Sequence, residues 1–345
     1  MNYSQRIQIL SDLGNIFRHI NPEFPVLQQA YLNNNWFTID MQVKAIKAWG
    51  QLLEKENLNR WLKPYSLSDQ TEVKTVLIIM AGNIPLVGLH DLICVLATGN
   101  KALIKPSSDD SILMKWLIQE LVKLNPEMSS LINVAEDHHT KNFDAVIATG
   151  SNNSNRYFEY YFRTKPNLLR KSRNSIAVLT GKETTEELDQ LADDIFMYFG
   201  LGCRNVSKVL LPQGYNLEPM IVAFERYKEI IHHNKYANNY TYHKAIFLMN
   251  MAPHLDNGFL ILKQDDLIAS PLSVLLFQFY ENANQVVSYI EEHKNDLQCV
   301  VGNMDNERMI PFGRSQNPAL NDYADGEDTI RFLLNAFVQT NTITN

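Results

Sequence analysis

Cys203 lies in the stretch FGLGCRNVSKVLLP, between Gly202 and Arg204 and just past a helical pattern that closes at Gly200. The nearby glycines let a substrate approach the backbone closely, and the adjoining guanidinium favours the thiolate, which is the reactive form. A thiolate so placed is a nucleophile for a carbonyl carbon. A structural cysteine at a turn is the commoner outcome, and on these residues alone both readings stand. Asn83, in AGNIP, ends a long apolar run. An amide at the carboxyl end of a parallel strand, where ligands bind, stabilises an oxyanion or serves as the N-cap of a Pro-led helix. Lys105 closes the run ALIK, and Ser107 and Ser108 follow Pro106 at the start of the next helical pattern. Free N–H groups at such a start receive an anion, unless the lysine is merely solvated and the serine a cap. Gly150-Ser151, in ATGS, repeat the arrangement, to hold a phosphate or to turn the chain.

Other chemistry is missing. The sequence has no G-x-G-x-x-G after its first strand, no G-x-x-x-x-G-K-S/T, no C-x-x-C and no H-E-x-x-H. His138-His139 and His232-His233 have no cysteine or carboxylate at ligand spacing, so no metal is expected. Cys94, in LICVLAT, and Cys299, in LQCVV, read as core cysteines. His90 stands about two turns past Asn83 on the same expected helix and reads as packed or capping rather than as a proton donor. Arg163, Lys165, Arg170, Lys171 and Arg173 form a basic cluster, which suits a phosphate but is read as a solvated face or a subunit contact.

These residues need elements to hold them. Residues 1–65 read as helical, with a second helix from Asp40 to Glu54. From Val73 the texture alternates: strands at 73–80, 102–106, 131–135 and 144–151, with helices from Leu86 to Gly99 and over 107–124. Further strands are expected at 174–182, 206–212, 244–250 and 272–280, and helices over 184–200 and 281–295. Alternation of this kind argues for an α/β fold with a parallel sheet covered by helices. At 345 residues the chain suits two domains, divided near residue 180: 1–180 a helical N-terminal segment and dinucleotide-binding domain, 181–345 the cysteine-bearing catalytic domain with the C-terminal segment.

Composition narrows the partners. Thirty-one basic against 38 acidic residues leave a net charge of −7, which opposes binding to a nucleic-acid backbone. Three widely separated cysteines fit a reducing compartment rather than a disulfide framework. The start MNYSQRIQIL lacks the apolar core of a signal peptide, and the apolar region 76–96 is broken by Asn83, Pro85, His90 and Asp91, so no membrane span is expected. A cytoplasmic protein is the expectation.

The ordered series GNIP, GNKALIKPSS, ATGS, VLTGK and GLGCRNVSKVLLP resembles the aldehyde dehydrogenase superfamily from about Val73 to Leu211. NNWFT (34–38), LNRWL (58–62), RNSIAVLTG (173–181) and FGRSQNPALNDYADGEDTIRFL (312–333) are similar to stretches of the bacterial LuxC-like acyl-CoA reductases, which make long-chain aldehyde. The resemblance implies an aldehyde dehydrogenase-like fold, with a Rossmann-like parallel-sheet cofactor domain and an α/β catalytic domain. It makes Cys203 the acyl-accepting nucleophile and Asn83 an oxyanion donor together with the Cys203 N–H. Lys105, Ser107 and Ser108 would meet the adenosine side of the cofactor, and Gly150-Ser151 its pyrophosphate or nicotinamide. Two departures matter. Aldehyde-oxidising members carry a glutamate, as water-activating base, where this chain has Val178, although Glu183 is nearby. Members preferring NAD carry a glutamate where this chain has Ser108, which points to NADPH, with NADH the alternative. The expected activity is reduction of an acyl-CoA thioester to the aldehyde by a homo-oligomer, with room for an acyl-activating partner protein. Reduction of an acyl phosphate, or a non-catalytic subunit of the same fold, are the other readings.

Overall fold

The computed structural model describes residues 1–67, 72–135, 142–305 and 308–337. They form two compact units, Met1–Ser172 joined by the chain from Ala319 onward, and Arg173–Pro318. The division falls at Ser172 rather than near residue 180, and the C-terminal segment returns to the first unit.

The first unit opens with α1 (Tyr3–Arg18), α2 (Pro25–Asn33), α3 (Ile39–Leu52) and α4 (Lys55–Leu62). A capping box starts α1: Gln5 N–H donates to Asn2 Oδ1 and Asn2 N–H to Gln5 Oε1, both at 2.9 Å. Its residues Ile7, Leu10, Leu13 and Phe17 recur at helical spacing and are buried together.

A parallel sheet follows, built from β1 (Thr75–Ile79), α5 (Leu89–Ala97), β2 (Lys101–Lys105), α6 (Ser111–Leu124), α7 (Met128–Leu131), β3 (Ile132–Val134), β4 (Ala145–Thr149), α8 (Asn152–Phe162) and β5 (Asn167–Arg170). Strand order is β3-β2-β1-β4-β5, with all four pairings parallel. Val76, Leu77 and Ile78 of β1 are fully buried, as a strand covered on both faces requires. The chain winds one way from β1 and the other way from β4. The carboxyl ends of those two neighbours therefore form the switch point at which open α/β sheets bind ligands.

One buried ion pair ties this unit together. Arg170, the last residue of β5, holds Asp91 of α5 through Nη1 at 2.7 and 2.6 Å and donates from Nη2 to Thr329 Oγ1 at 2.7 Å. Thr329 opens the C-terminal helix Thr329–Asn335. Arg170 is thus no part of a solvated basic face. Arg163, Lys165 and Lys171 are exposed, and Arg173 belongs to the second unit, where it donates to the Leu297 carbonyl at 3.2 Å.

The second unit contains β6 (Asn174–Val178), α9 (Thr185–Phe196), β7 (Val206–Pro212), α10 (Glu218–Phe224), α11 (Asn234–Met249), β8 (Leu255–Asp256), β9 (Ile261–Gln264), β10 (Val274–Tyr280), α12 (Ala283–Glu292), β11 (Leu297–Gly302) and β12 (Met309–Ile310). Its sheet runs β12-β11-β6-β7-β10-β9-β8 and is parallel except where β8 joins β9. The run KAIFLMN, expected as a strand, is instead the last part of α11. Tyr236 and Tyr240, four residues apart, are the buried side chains of that helix and orient it. Among the described residues no helix is long and apolar enough to cross a membrane.

Candidate active site

In the first unit, the sequence-marked residues stand at the carboxyl ends of β1, β2 and β4. Asn83 is exposed four residues past β1. It does not cap α5, whose N-cap is Gly88. Between them Leu86 takes a left-handed φ of 58°, so the helix expected from Leu86 starts only at Leu89. This turn is anchored by Asp110, which is fully enclosed and accepts the Leu86 N–H at 2.8 Å. Burial, only partly offset by that bond, pushes the Asp110 carboxyl well above the usual range. Gly82 packs against the β2 loop: a Cβ there would lie 2.5 Å from Ser107 Cβ and Oγ. The loops bearing Asn83 and Ser107 are therefore zipped together.

Lys105 ends β2, half-buried. Ser107 accepts the Asp109 N–H, capping a short 3-10 turn over Ser108–Asp110. The Ser108 carbonyl receives Asn33 Nδ2 at 3.0 Å. At the end of β4, Ser151 N-caps α8, accepting the Ser154 N–H at 3.2 Å. A Cβ on Gly150 would meet Phe158 and Ser154 at 2.9 Å, and the Gly150 N–H donates to the Arg170 carbonyl at 3.2 Å. A lysine, glycines that admit no side chain and the start of an eleven-residue helix, all at the carboxyl ends of parallel strands, suit a dinucleotide phosphate.

The second unit carries Cys203. Of the three thiols it is the exposed one, on the turn between α9 and β7. Several bonds fix that turn. Asn205, buried, accepts the Gly202 N–H at 2.8 Å and donates from Nδ2 to the carbonyls of Asp194, Ile195 and Met197 at 3.1, 3.2 and 2.8 Å. The Cys203 carbonyl accepts the Ser175 hydroxyl at 2.9 Å. Immediately before it Tyr198, Phe199 and Gly200 have φ of 53°, 59° and 78°, so α9 stops at Phe196 rather than at Gly200. Two consecutive non-glycine residues in that region mark strain, of the kind that gathers at functional sites.

The C-terminal motif explains itself here in part. Asp194, buried on α9, accepts the N–H groups of Gly313 and Ser315 at 2.7 and 3.0 Å and the Ser315 hydroxyl at 2.6 Å. The same residue's carbonyl receives Asn205, so FGRS and the cysteine turn share one anchor. Neither Asp194 nor Asn205 was marked by the sequence, although a buried aspartate in a helix otherwise patterned for burial was a faint signal. Farther along the motif, in the first unit, Tyr323 Oη accepts Trp61 Nε1 at 2.8 Å, and Tyr65 Oη donates to Asp328 at 2.8 Å.

The other candidates resolve clearly. Cys94 is buried, which pushes its thiol well up. Cys299 is half-buried, and burial raises its thiol to about 11. His90 donates from Nε2 to the Leu320 carbonyl at 2.9 Å and packs on Trp61 and Tyr323, as a packed histidine should. Val178 is fully buried in β6. Glu183 spends both oxygens on its own turn, accepting the Thr180 N–H at 2.5 Å and the Gly181 N–H at 3.0 Å. His232 and His233 lie at the start of α11, where His233 is the N-cap; His138-His139 lie outside the described residues. Among the described residues no group of three or more His, Cys, Asp or Glu could hold a metal ion.

Two α/β units, one with a ligand-type switch point and one with an exposed cysteine turn, define the aldehyde dehydrogenase fold class, and solved structures agree. An indole-3-acetaldehyde dehydrogenase of P. syringae, in complex with NAD+, superposes with a TM-score of 0.66 at 15% identity, over 89% of this chain and 73% of that one. The aldehyde dehydrogenase KauB of Pseudomonas aeruginosa gives 0.65 at 15% identity over the same shares. An NAD+ complex of a Bacillus cereus aldehyde dehydrogenase gives 0.63, again at 15% over 89% and 73%. No curated protein matches the chain. The family model of the acyl-CoA reductases (LuxC) matches residues 47–315, and the chain belongs to that family. It is an aldehyde-forming oxidoreductase with an aldehyde dehydrogenase-like fold.

Proposed function

We propose that the chain reduces an acyl-CoA thioester to the aldehyde with NADPH, through a thioacyl intermediate on Cys203. The Cys203 thiolate attacks the thioester carbonyl, Asn83 and the Cys203 N–H receive the developing oxyanion, and the CoA thiolate leaves. When bound, a reduced nicotinamide supplies the hydride that the thioacyl carbonyl accepts. The resulting thiohemiacetal releases aldehyde and returns the thiolate.

One observation carries the preference for reduction over hydrolysis: neither carboxylate position near the motif offers a base. Val178 is an enclosed apolar residue and Glu183 is bound into its turn. Family membership supports the acyl-CoA substrate. The NAD+ held by the structural neighbours supports a nicotinamide dinucleotide, and Lys105, Ser107, Ser108, Gly150 and Ser151 are the residues that would hold it. Ser108 brings no carboxylate against a 2'-phosphate, which favours NADPH over NADH. Exposed Tyr157, Tyr160 and Tyr161 on one helix, α8, suit a homo-oligomer, which light scattering would read.

Incubation with labelled acyl-CoA and no reductant is expected to place the acyl group on Cys203, read by peptide mass, and Cys203→Ala to abolish it. Label that persists in that variant overturns the reading. NADPH absorbance with acyl-CoA against acyl phosphate separates the two substrates, and absence of both labelling and NADPH binding favours a non-catalytic subunit. Asn83→Ala is expected to slow acylation about 100- to 1,000-fold, the effect of one lost oxyanion donor.

A further inference from the structure

We propose that Ser175 is a positioning residue for the Cys203 nucleophile, acting through the peptide group that joins Cys203 to Arg204. The inference rests on the reading of Cys203 as the nucleophile and assigns to β6 a part in the reaction beyond carrying the sheet.

Ser175 is fully buried. It sits where β6 shifts register against β7, and its partner strand β11 shifts between Leu297 and Cys299. A hydroxyl in that place is unfavourable unless bonded, and this one is bonded in full. Its single proton goes to the Cys203 carbonyl at 2.9 Å. Its lone pairs accept the Cys299 N–H at 3.3 Å and, since the hydroxyl proton is committed, the Cys299 S–H at 3.0 Å. Burial holds the Cys299 thiol up at about 11, so it remains a donor at neutral pH.

The consequence follows from peptide planarity. In a trans peptide the C=O and N–H point in opposite directions. With the Cys203 oxygen held toward an enclosed serine, the Arg204 N–H is directed to the side opposite that serine. Donation to the carbonyl also polarises the peptide and strengthens that N–H as a donor. A thiolate or oxyanion forming at the turn then meets an oriented dipole that needs no reorganisation. The residue after a nucleophile supplies such an N–H in other folds.

The test uses the full chain and two readouts. The first is alkylation of Cys203 by iodoacetamide across pH, followed on its own peptide by mass, which requires no acyl-CoA. The second is single-turnover acylation. Ser175→Ala is expected to raise the alkylation midpoint by about 1 pH unit and slow acylation about tenfold, with KM little changed. Ser175→Thr, which keeps the hydroxyl, is expected to restore both. Ser207→Ala, which loses a bond to the Ser175 carbonyl, is expected to lower melting temperature without moving the midpoint. A wild-type midpoint in folded Ser175→Ala overturns the proposal. If that variant does not fold, Ser175→Cys replaces it, with an intermediate midpoint expected and a wild-type midpoint overturning. Wild-type protein that takes no acyl label would instead overturn the substrate reading and leave the alkylation result to decide Ser175.

Discussion

A thioacyl enzyme survives only if no nearby base activates water, and at the residue scale this depends on Val178 and Glu183. Val178 packs with Ile176, Leu210, Val286 and Ile290. Val178→Glu is therefore expected to bury an unpaired carboxylate rather than create a base. A loss of about 3 to 5 kcal/mol, read by urea denaturation, should come with no gain in thioester hydrolysis. Cys203, Asn83 and Lys105 stand out in the sequence as candidates because each lies beside glycine or proline near the end of an apolar run. Ser175, Asn205 and Asp194 do not stand out. Their importance lies in bonds made 28, up to 11 and 121 positions away in the chain, and a serine in a strand looks like any other serine.

Among the elements, β7 holds an unusual charge. Lys208 is fully buried, donates to the Asp266 carbonyl at 2.9 Å and Gln278 Oε1 at 2.7 Å, and faces the Tyr289 ring. Burial lowers its ammonium to about 8, with Asp266 and Asp265 acting the other way. The unfolded chain keeps this proton to about 10.5, so between about 8 and 10.5 it binds more protons than the folded chain. Stability is expected to rise with pH across that window, the penalty of the enclosed charge being present in full below it. Lys208→Met should flatten the rise, as denaturation at pH 7.5 and 10 would read. Strands β1, β2, β4, β6 and β7 were legible as apolar runs between turn residues. The strand β5 was not, because NLLR is short and ends on a charge whose partner Asp91 lies 79 positions earlier. The helix α11 was misread because IFL is a strand-like triplet, and the residues that decide it, Tyr236 and Tyr240, precede it.

For the whole molecule, the two-unit plan was legible and its seam was not. A boundary near 180 looked natural because the motif VLTGK ends there, yet the chain leaves the first unit at Ser172 and re-enters it at Ala319. The family-like stretch 312–333 spans the re-entry. Its start bonds Asp194 within the second unit, while Tyr323 and Thr329 bond Trp61 and Arg170 within the first. Deleting 319–345 is expected to strip Leu320, Tyr323, Ile330 and Leu333 from the first unit's core. At roughly 1.5 to 3 kcal/mol for each large apolar side chain, that loss should unfold the first unit and spare the second. Hydrogen exchange by mass spectrometry would show the change confined to peptides of 1–172.

The buried Arg170–Asp91 pair has a consequence in time. Both residues, and the strand β5 and helix α5 they join, are synthesised before any of the second unit, but Thr329 lies 159 positions after Arg170 and arrives only once the second unit has been made. At about 5 to 20 residues per second, that is a wait of roughly 8 to 32 s. Throughout it, the guanidinium lacks one of its acceptors and the apolar residues awaiting the C-terminal helix stay uncovered. The nascent first unit is thus obliged to remain open on the ribosome while the unit made after it is free to finish first.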